Sequence, residues 1–170
     1  LPRRRRRLLH RQVGEALETL YGRKPDAYLE ALTYHFAEAE DAEKILRYGR
    51  LAAAKAAAVF AYDDAAKSLQ QAITAAEELD RSADRLELME KLGDLIFATG
   101  RREQTIHAYE DALQFWKSLP AASNVDGARL CRKLGEIGTR WATYNPRTRE
   151  HIAAGLRLLE DVPDHPERVK

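Results

Sequence analysis

The sequence predicts an all-α fold, an α-solenoid of about four helical hairpins, on three observations. Apolar residues recur at helical spacing over most of the 170 residues. The breaks between these stripes are short, carry Gly, Pro or Asp, and are not flanked by period-two alternation. The pattern also repeats: Leu69 and Ala72 stand 40 residues before Tyr109 and Ala112.

Each helix has its own signal. Leu9, Val13, Ala16, Leu17 and Leu20 make the stripe of a first helix, ended by Gly22. A second is expected from Asp26 to Ala39, with Leu29, Leu32 and Phe36. A third runs from Asp41 to Phe60, and its LAAAKAAAVF segment predicts a helix wedged among close neighbours, because Ala is the best helix former and the smallest. The fourth opens at Asp63-Asp64, acids that suit a helix N-terminus, and carries Ala65, Leu69, Ala72, Ile73 and Ala76. Ser82 is the expected N-cap of the fifth. That helix has two apolar sets, Leu88, Leu92, Leu95 and Leu86, Met89, Gly93, Ile96, so it is buried on two sides. Gly93 lowers helix propensity by about 1 kcal/mol and therefore marks a neighbour packed too close for a side chain. Gly100 ends this helix in the left-handed conformation. The sixth uses Ile106, Tyr109, Leu113 and Trp116 and stops at Pro120. The seventh spans Val125 to Thr143. After an enlarged loop, Asn145-Pro146 opens the eighth as N-cap and first-turn proline, with Ile152, Leu156 and Leu159 inside. A frayed polar tail follows from Pro163.

Composition narrows the function. Hydrophobic residues make up 45% and charged ones 32%, the mix of a soluble helical domain. A net charge of +1 argues against a globally basic nucleic-acid binder. Cys131 is the only cysteine, so no intrachain disulfide forms and the cytoplasm is the expected compartment. No apolar run approaches the roughly 18 residues of a membrane span, so no membrane partner is expected. The sequence opens on Leu1-Pro2 with no signal-peptide pattern and is expected to be a piece of a longer protein.

Two resemblances sharpen this reading. Leu92 to Leu113, LGDLIFATGRREQTIHAYEDAL, resembles a tetratricopeptide (TPR) unit, and residues 62–113 as a whole are similar to TPR hairpins. The resemblance implies a right-handed α-solenoid. Spacings of 40 and 47 residues between matching second helices exceed the usual TPR period of about 34. Upstream, LPRRRRRLLHRQVGEALETLYG, LEALTYHFAEAEDAEKILRYGRLAAAKA and FAYDDAAKSLQQAI resemble a block in bacterial STAND and AAA-type ATPase regulators, including MalT-like and LuxR-type activators and cyclase-associated ATPases. Leu9-His10, Ala16-Leu17-Glu18, Tyr34-His35-Phe36, Asp41, Glu43-Lys44 and Tyr48 carry that match. Ile45, where Ala is more common, and the loop before Pro146 depart from it. The resemblance implies one TPR-like domain over 1–170. Residues 1–61 would adjoin an NTPase and winged-helix region, 62–162 would form the hairpins and 163–170 the tail. The fragment would be a non-catalytic sensor or protein-binding arm, with a protein or peptide and the parent's NTPase module as partners. It contains no Gly-x-x-x-x-Gly-Lys-Ser/Thr sequence, so no cofactor is expected.

Candidate site residues follow. In TPR arrays the first helices of the hairpins line the concave, peptide-binding face. The fifth helix would offer Glu87, Glu90, Asp94 and Phe97, and the seventh Arg129, Arg132, Glu136 and Arg140, an acidic wall beside a basic one. This differs from the Lys/Asn pattern that clamps a C-terminal carboxylate. Arg3, Arg4, Arg5, Arg6 and Arg7 point all around a helix start, where positive charge opposes the macrodipole. They are expected at a domain junction. The alternative is a nucleic-acid contact that also uses Lys24, Arg47, Arg50 and Lys55. His10, His35, His107, His151 and His165 lack the four-residue spacing of a zinc motif, so no metal site is expected. Cys131 shares a face with Leu134-Gly135 and reads as a buried structural thiol. No acid, base and nucleophile assemble, so an enzyme is not expected. Exposed apolar end faces make self-association a further expectation.

Overall fold

A computed structural model describes residues 2–21, 28–140 and 146–160, with the backbone alone at 139, 140 and 146. Among the described residues there are eight helices and no strand. They are α1 (Arg3–Tyr21), α2 (Leu29–Glu38), α3 (Ala42–Ala58), α4 (Tyr62–Glu78), α5 (Ser82–Ala98), α6 (Arg102–Ser118), α7 (Asn124–Arg140) and α8 (Pro146–Leu158). The chain divides into two compact units, Leu1–Leu88 and Met89–Lys170, with the division inside α5. In the first unit α1 packs on α2, α2 on α3 and α3 on α4; in the second α6 packs on α7 and α7 on α8. The fold is all-α, and sequence neighbours pack as an α-solenoid of hairpins requires.

The period is a 20-residue module. Helices α3, α4, α5 and α6 each hold 17 residues. Between them Glu40, Phe60, Asp80 and Gly100 take left-handed φ values of 51, 61, 55 and 74°. The amides of Asp41, Ala61 and Arg81 each donate back to the carbonyl five residues earlier, at 3.1, 2.9 and 2.9 Å, closing the helix ends as Schellman motifs. Only Gly100 announces such a turn in sequence.

The first unit closes over Leu29, Leu32, Phe36 and Tyr48, with Leu17, Tyr28 and Ala52 around them. The Phe36 ring stacks on Tyr48 at 5.5 Å and lies over Gly14, where a Cβ would stand 2.8 Å from the ring. That contact fixes the rotation of α1. Arg7, His10, Gly14, Leu17 and Glu18 face inward, and the expected core stripe of Leu9, Val13, Ala16 and Leu20 faces solvent, with only Leu17 packed. The alanine segment is corrected in the same way. Ala53 is buried, but Leu51, Ala54, Ala58, Val59 and Phe60 are exposed. The alanines that permit close approach are Ala65, Ala72, Ala75 and Ala76 of α4. There Gly49 of α3 meets the Ala72 methyl and the Ser68 carbonyl, with room for a Cβ only at 3.1 Å.

The second unit repeats the device. A Cβ on Gly93 would stand 2.5 Å from the Tyr109 ring. Trp116 covers Gly127 and donates from Nε1 to the Ser123 carbonyl at 2.9 Å. Ile152 covers Gly135, where a Cβ would stand 2.7 Å from its Cγ1. Cys131 is buried beside Gly155, and burial pushes its thiol pKa up.

Several boundaries shift. Ser82 is the first residue of α5 rather than its cap. Asp63 and Asp64 lie in the first turn of α4 after Ala61, with no side-chain cap, whereas Asp41 does cap α3, accepting from the Lys44 amide at 3.2 Å. Helix α6 ends at Ser118 because Leu119 precedes Pro120 and turns extended (φ −86°, ψ 122°). Gly22, Asp26, Thr143, Asn145 and the tail from Pro163 lie outside the described residues.

Two stability measurements test these contacts. Gly93→Leu forces apart α5 and the Tyr109 ring and lowers unfolding free energy by about 1–3 kcal/mol; an equally stable variant contradicts the close approach. Phe60 is 75% exposed in a left-handed conformation. Phe60→Gly relieves that strain and raises stability by about 0.5–1 kcal/mol in chemical denaturation, despite removing a large apolar side chain.

Candidate functional site

The odd-numbered helices carry charged rows, and in each unit these rows pair with one another. In the first unit Glu18 of α1 accepts from Lys44 Nζ at 2.7 Å and from the Tyr48 hydroxyl, with Arg47 at 3.8 Å. Burial favours the neutral acid, but the bonds from Lys44 and Tyr48 outweigh it and hold Glu18 below the usual carboxylate range. Burial and the Glu18 charge push Tyr48 up to about 12. Farther along α3, Arg50 bridges Asp84 at 2.6 Å and Glu87 at 2.9 Å, and Arg81 reaches Glu43 at 2.7 Å. Lys44, Arg47, Arg50, Arg81, Glu43 and Asp84 line an open groove there.

In the second unit the focus is Glu90, a buried carboxylate on α5. Arg129 Nε and Lys133 Nζ of α7 each donate to it at 2.8 Å. Arg129 also reaches Asp126 at 2.8 Å. Asp94 accepts from the Tyr109 hydroxyl at 2.5 Å and pairs with Lys133. Burial pulls Glu90 toward the neutral form, yet the two cations hold its carboxyl below the ordinary range. Burial, then Asp94, raises Tyr109.

The predicted residues therefore lie on α5 and α7 and are largely one another's partners. Glu90 and Arg129 pair across helices, and Arg132 pairs with Glu136 along α7. Glu87 and Asp94 take partners outside the predicted set, Arg50 and Lys133. Phe97 is half-buried on α5, and the Arg140 side chain lies outside the described residues. The members not assigned to this face in sequence are Glu18, Lys44, Tyr48, Arg50 (read there as a nucleic-acid contact), Tyr109, Asp126 and Lys133. Their signal is the alternation of charge sign between successive odd helices.

The arginine run finds acids in its own chain. Arg3 and Arg7 bind Glu40 at 2.6 and 3.0 Å, Arg6 lies 3.7 Å from Glu38, and Arg11 reaches Asp41 at 3.3 Å. Arg4 and Arg5 remain exposed. For the nucleic-acid alternative, Arg50 is likewise engaged, and Lys24 lies outside the described residues. Folding also joins two histidines that the spacing kept apart: His10 and His35 share an Nδ1···Nδ1 hydrogen bond of 3.1 Å, with Tyr34 edge-on to His10. Burial, then His10, lowers the His35 pKa. Among the described residues no three His, Cys, Asp or Glu converge as metal ligands. Among the described residues no helix is long and apolar enough to cross a membrane. A recess of about 80 Å³ with a mixed lining lies between Arg102, Ile106 and Glu110 of α6, Leu134 and Ile137 of α7, and Thr148 and His151 of α8.

No family model matches this chain. No curated protein matches it either. Among solved structures, one described as the crystal structure of MamA protein is similar at 12% sequence identity and a TM-score of 0.37, covering 94% of this chain and 95% of that one.

The Glu90 site generates a pH test. A carboxyl whose folded pKa is depressed contributes stability that is present above its unfolded value, about 4.3, and is lost as pH falls through the folded value. Denaturation midpoints should therefore fall below about pH 4.3. Glu90→Gln should lower stability near pH 7 by about 2 kcal/mol and flatten this acid limb. An unchanged acid limb contradicts the role assigned to Glu90.

Proposed function

We propose that this chain is a non-catalytic protein-interaction module that takes an extended or helical peptide along the odd-helix face of its hairpins. The observation that carries this is the pair of charged rows. Their inner members, such as Glu90, are locked, while the side chains of Arg47, Glu87, Asp94 and Glu136 keep an exposed edge. Exposed ion pairs contribute little, so a peptide of mixed charge can exchange partners with them at small penalty.

The finer reading is a cytoplasmic sensor arm of a bacterial STAND/AAA-type signalling or transcriptional regulator. What supports it is the fate of the residues that carry the resemblance. Glu18, Lys44 and Tyr48 bond together, Phe36 stacks on Tyr48, His35 meets His10, and Asp41 caps α3. They form a single joint between α1, α2 and α3. In this reading a ligand that prefers one packing of the odd helices biases the NTPase module through that joint.

Peptides selected from a random displayed library against the chain test the site. Binding should weaken with salt, and Glu87→Lys or Glu136→Lys should weaken it several-fold. Binding indifferent to both variants removes the odd-helix face from the proposal. Calorimetry with ATP should give no binding heat; a measurable affinity contradicts the arm reading.

A further inference from the structure

Counted from the glycine that seats the next even helix, α1, α5 and α7 share one apolar register, five residues before, one before and two after, which α3 breaks with Lys44, Tyr48 and Leu51 around Gly49. In α7, around Gly135, these are Leu130, Leu134 and Ile137, all buried, with α6 packed on α7. In α5, around Gly93, they are Leu88, Leu92 and Leu95, with Leu88 and Leu95 buried. In α1, around Gly14, they are Leu9, Val13 and Ala16. Leu9 and Val13 stand 41% and 42% exposed, and Ala16 is exposed too. The even helices show the complementary case. Ile152 sits over Gly135 as Tyr109 sits over Gly93, which corrects the 47-residue spacing expected from sequence to 43. Leu69 and Ile73 of α4 and Tyr109 and Leu113 of α6 are buried, whereas their counterparts in α8, Ile152 and Leu156, stand 38% and 45% exposed. Helices α1 and α8 thus each expose half of a helix contact that α6 and α7 bury.

At one inner joint a charge pair accompanies this register. Where α4 leads into α5, Glu77 pairs with Arg85 at 3.0 Å. Glu77 lies four residues after Ile73, and Arg85 eight before Gly93. At the α6–α7 joint the same counts reach Lys117 and Gly127, whereas from Leu156 and Gly14 they reach Glu160 and Arg6. Glu160 is exposed, and Arg6 is largely exposed with only a 3.7 Å approach to Glu38.

We propose that this chain associates with a second copy of itself head to tail. Helix α8 of one copy seats on α1 of the next, Ile152 and Leu156 against Leu9 and Val13, with Glu160 against Arg6. The contact is heterologous, so association continues beyond the dimer or closes into a ring. It does not depend on peptide binding, and either property can fail without the other.

Sedimentation velocity of the 170-residue chain, from low micromolar to near-millimolar concentration, tests this. Mass should grow with concentration past that of a dimer. Val13→Glu and Leu156→Glu, both at exposed positions and checked for folding by circular dichroism, should each be monomeric alone. Mixed, they should give a one-to-one dimer and stop there, because one retains α8 and the other α1. Arg6→Glu or Glu160→Arg should weaken association several-fold, and the double variant should restore it. A wild-type chain that stays monomeric overturns the proposal. So does a dimer that survives Leu156→Glu, which would be α1 pairing with itself, or a double variant with no recovery.

Discussion

A glycine on each of several odd helices seats one large side chain from the following even helix, and the rest of the structure depends on that contact. Phe36 lies on Gly14, Tyr109 on Gly93 and Ile152 on Gly135. An apolar stripe alone leaves a helix free to rotate by tens of degrees at small penalty. A ring against bare backbone does not, because only a residue without a Cβ leaves room for it: a Cβ on Gly14 or Gly93 would stand 2.8 or 2.5 Å from the ring. The sockets therefore decide which side chains of an odd helix meet the next odd helix and which meet solvent.

The charged rows follow from that rotation. With Gly93 under Tyr109, Glu90 and Asp94 are presented to Arg129 and Lys133. With Gly14 under Phe36, Glu18 is presented to Lys44 and Tyr48. Removing a carboxylate from water is expensive, and Glu90 offsets this with two cations and short hydrogen bonds. Such a pair specifies alignment of the odd helices more than it adds net stability. Its exposed members are where a partner's charges can compete. Structure and proposed function thus share the same side chains.

Much of the fold was legible because it is local. Helical spacing placed all eight helices, and the mid-helix Gly93 correctly signalled a close neighbour. The positions of three further turns were legible but their left-handed conformation was not, because Glu40, Phe60 and Asp80 stand where sequence normally marks it with Gly. The face of α1 was misjudged for a physical reason: its apolar stripe is longer than its packed face, and a single glycine outranks four apolar residues in setting rotation. At the site, residue types on α5 and α7 were legible, but their mutual pairing was not, since Glu90 and Arg129 lie 39 residues apart. Similar sequence separations hid the acids that engage Arg3, Arg6 and Arg7. Sequence shows a run of like charge, and only folding shows what neutralises it.

The socket claim is most directly tested by proton NMR of the Gly14 and Gly93 α-protons. Aromatic rings packed face-on should shift these protons upfield and give strong cross-relaxation to the Phe36 and Tyr109 ring protons. Glycine α-protons at ordinary shifts, with the Phe36 ring instead cross-relaxing with Leu9 and Val13, would show α1 rotated onto its apolar stripe and contradict the account.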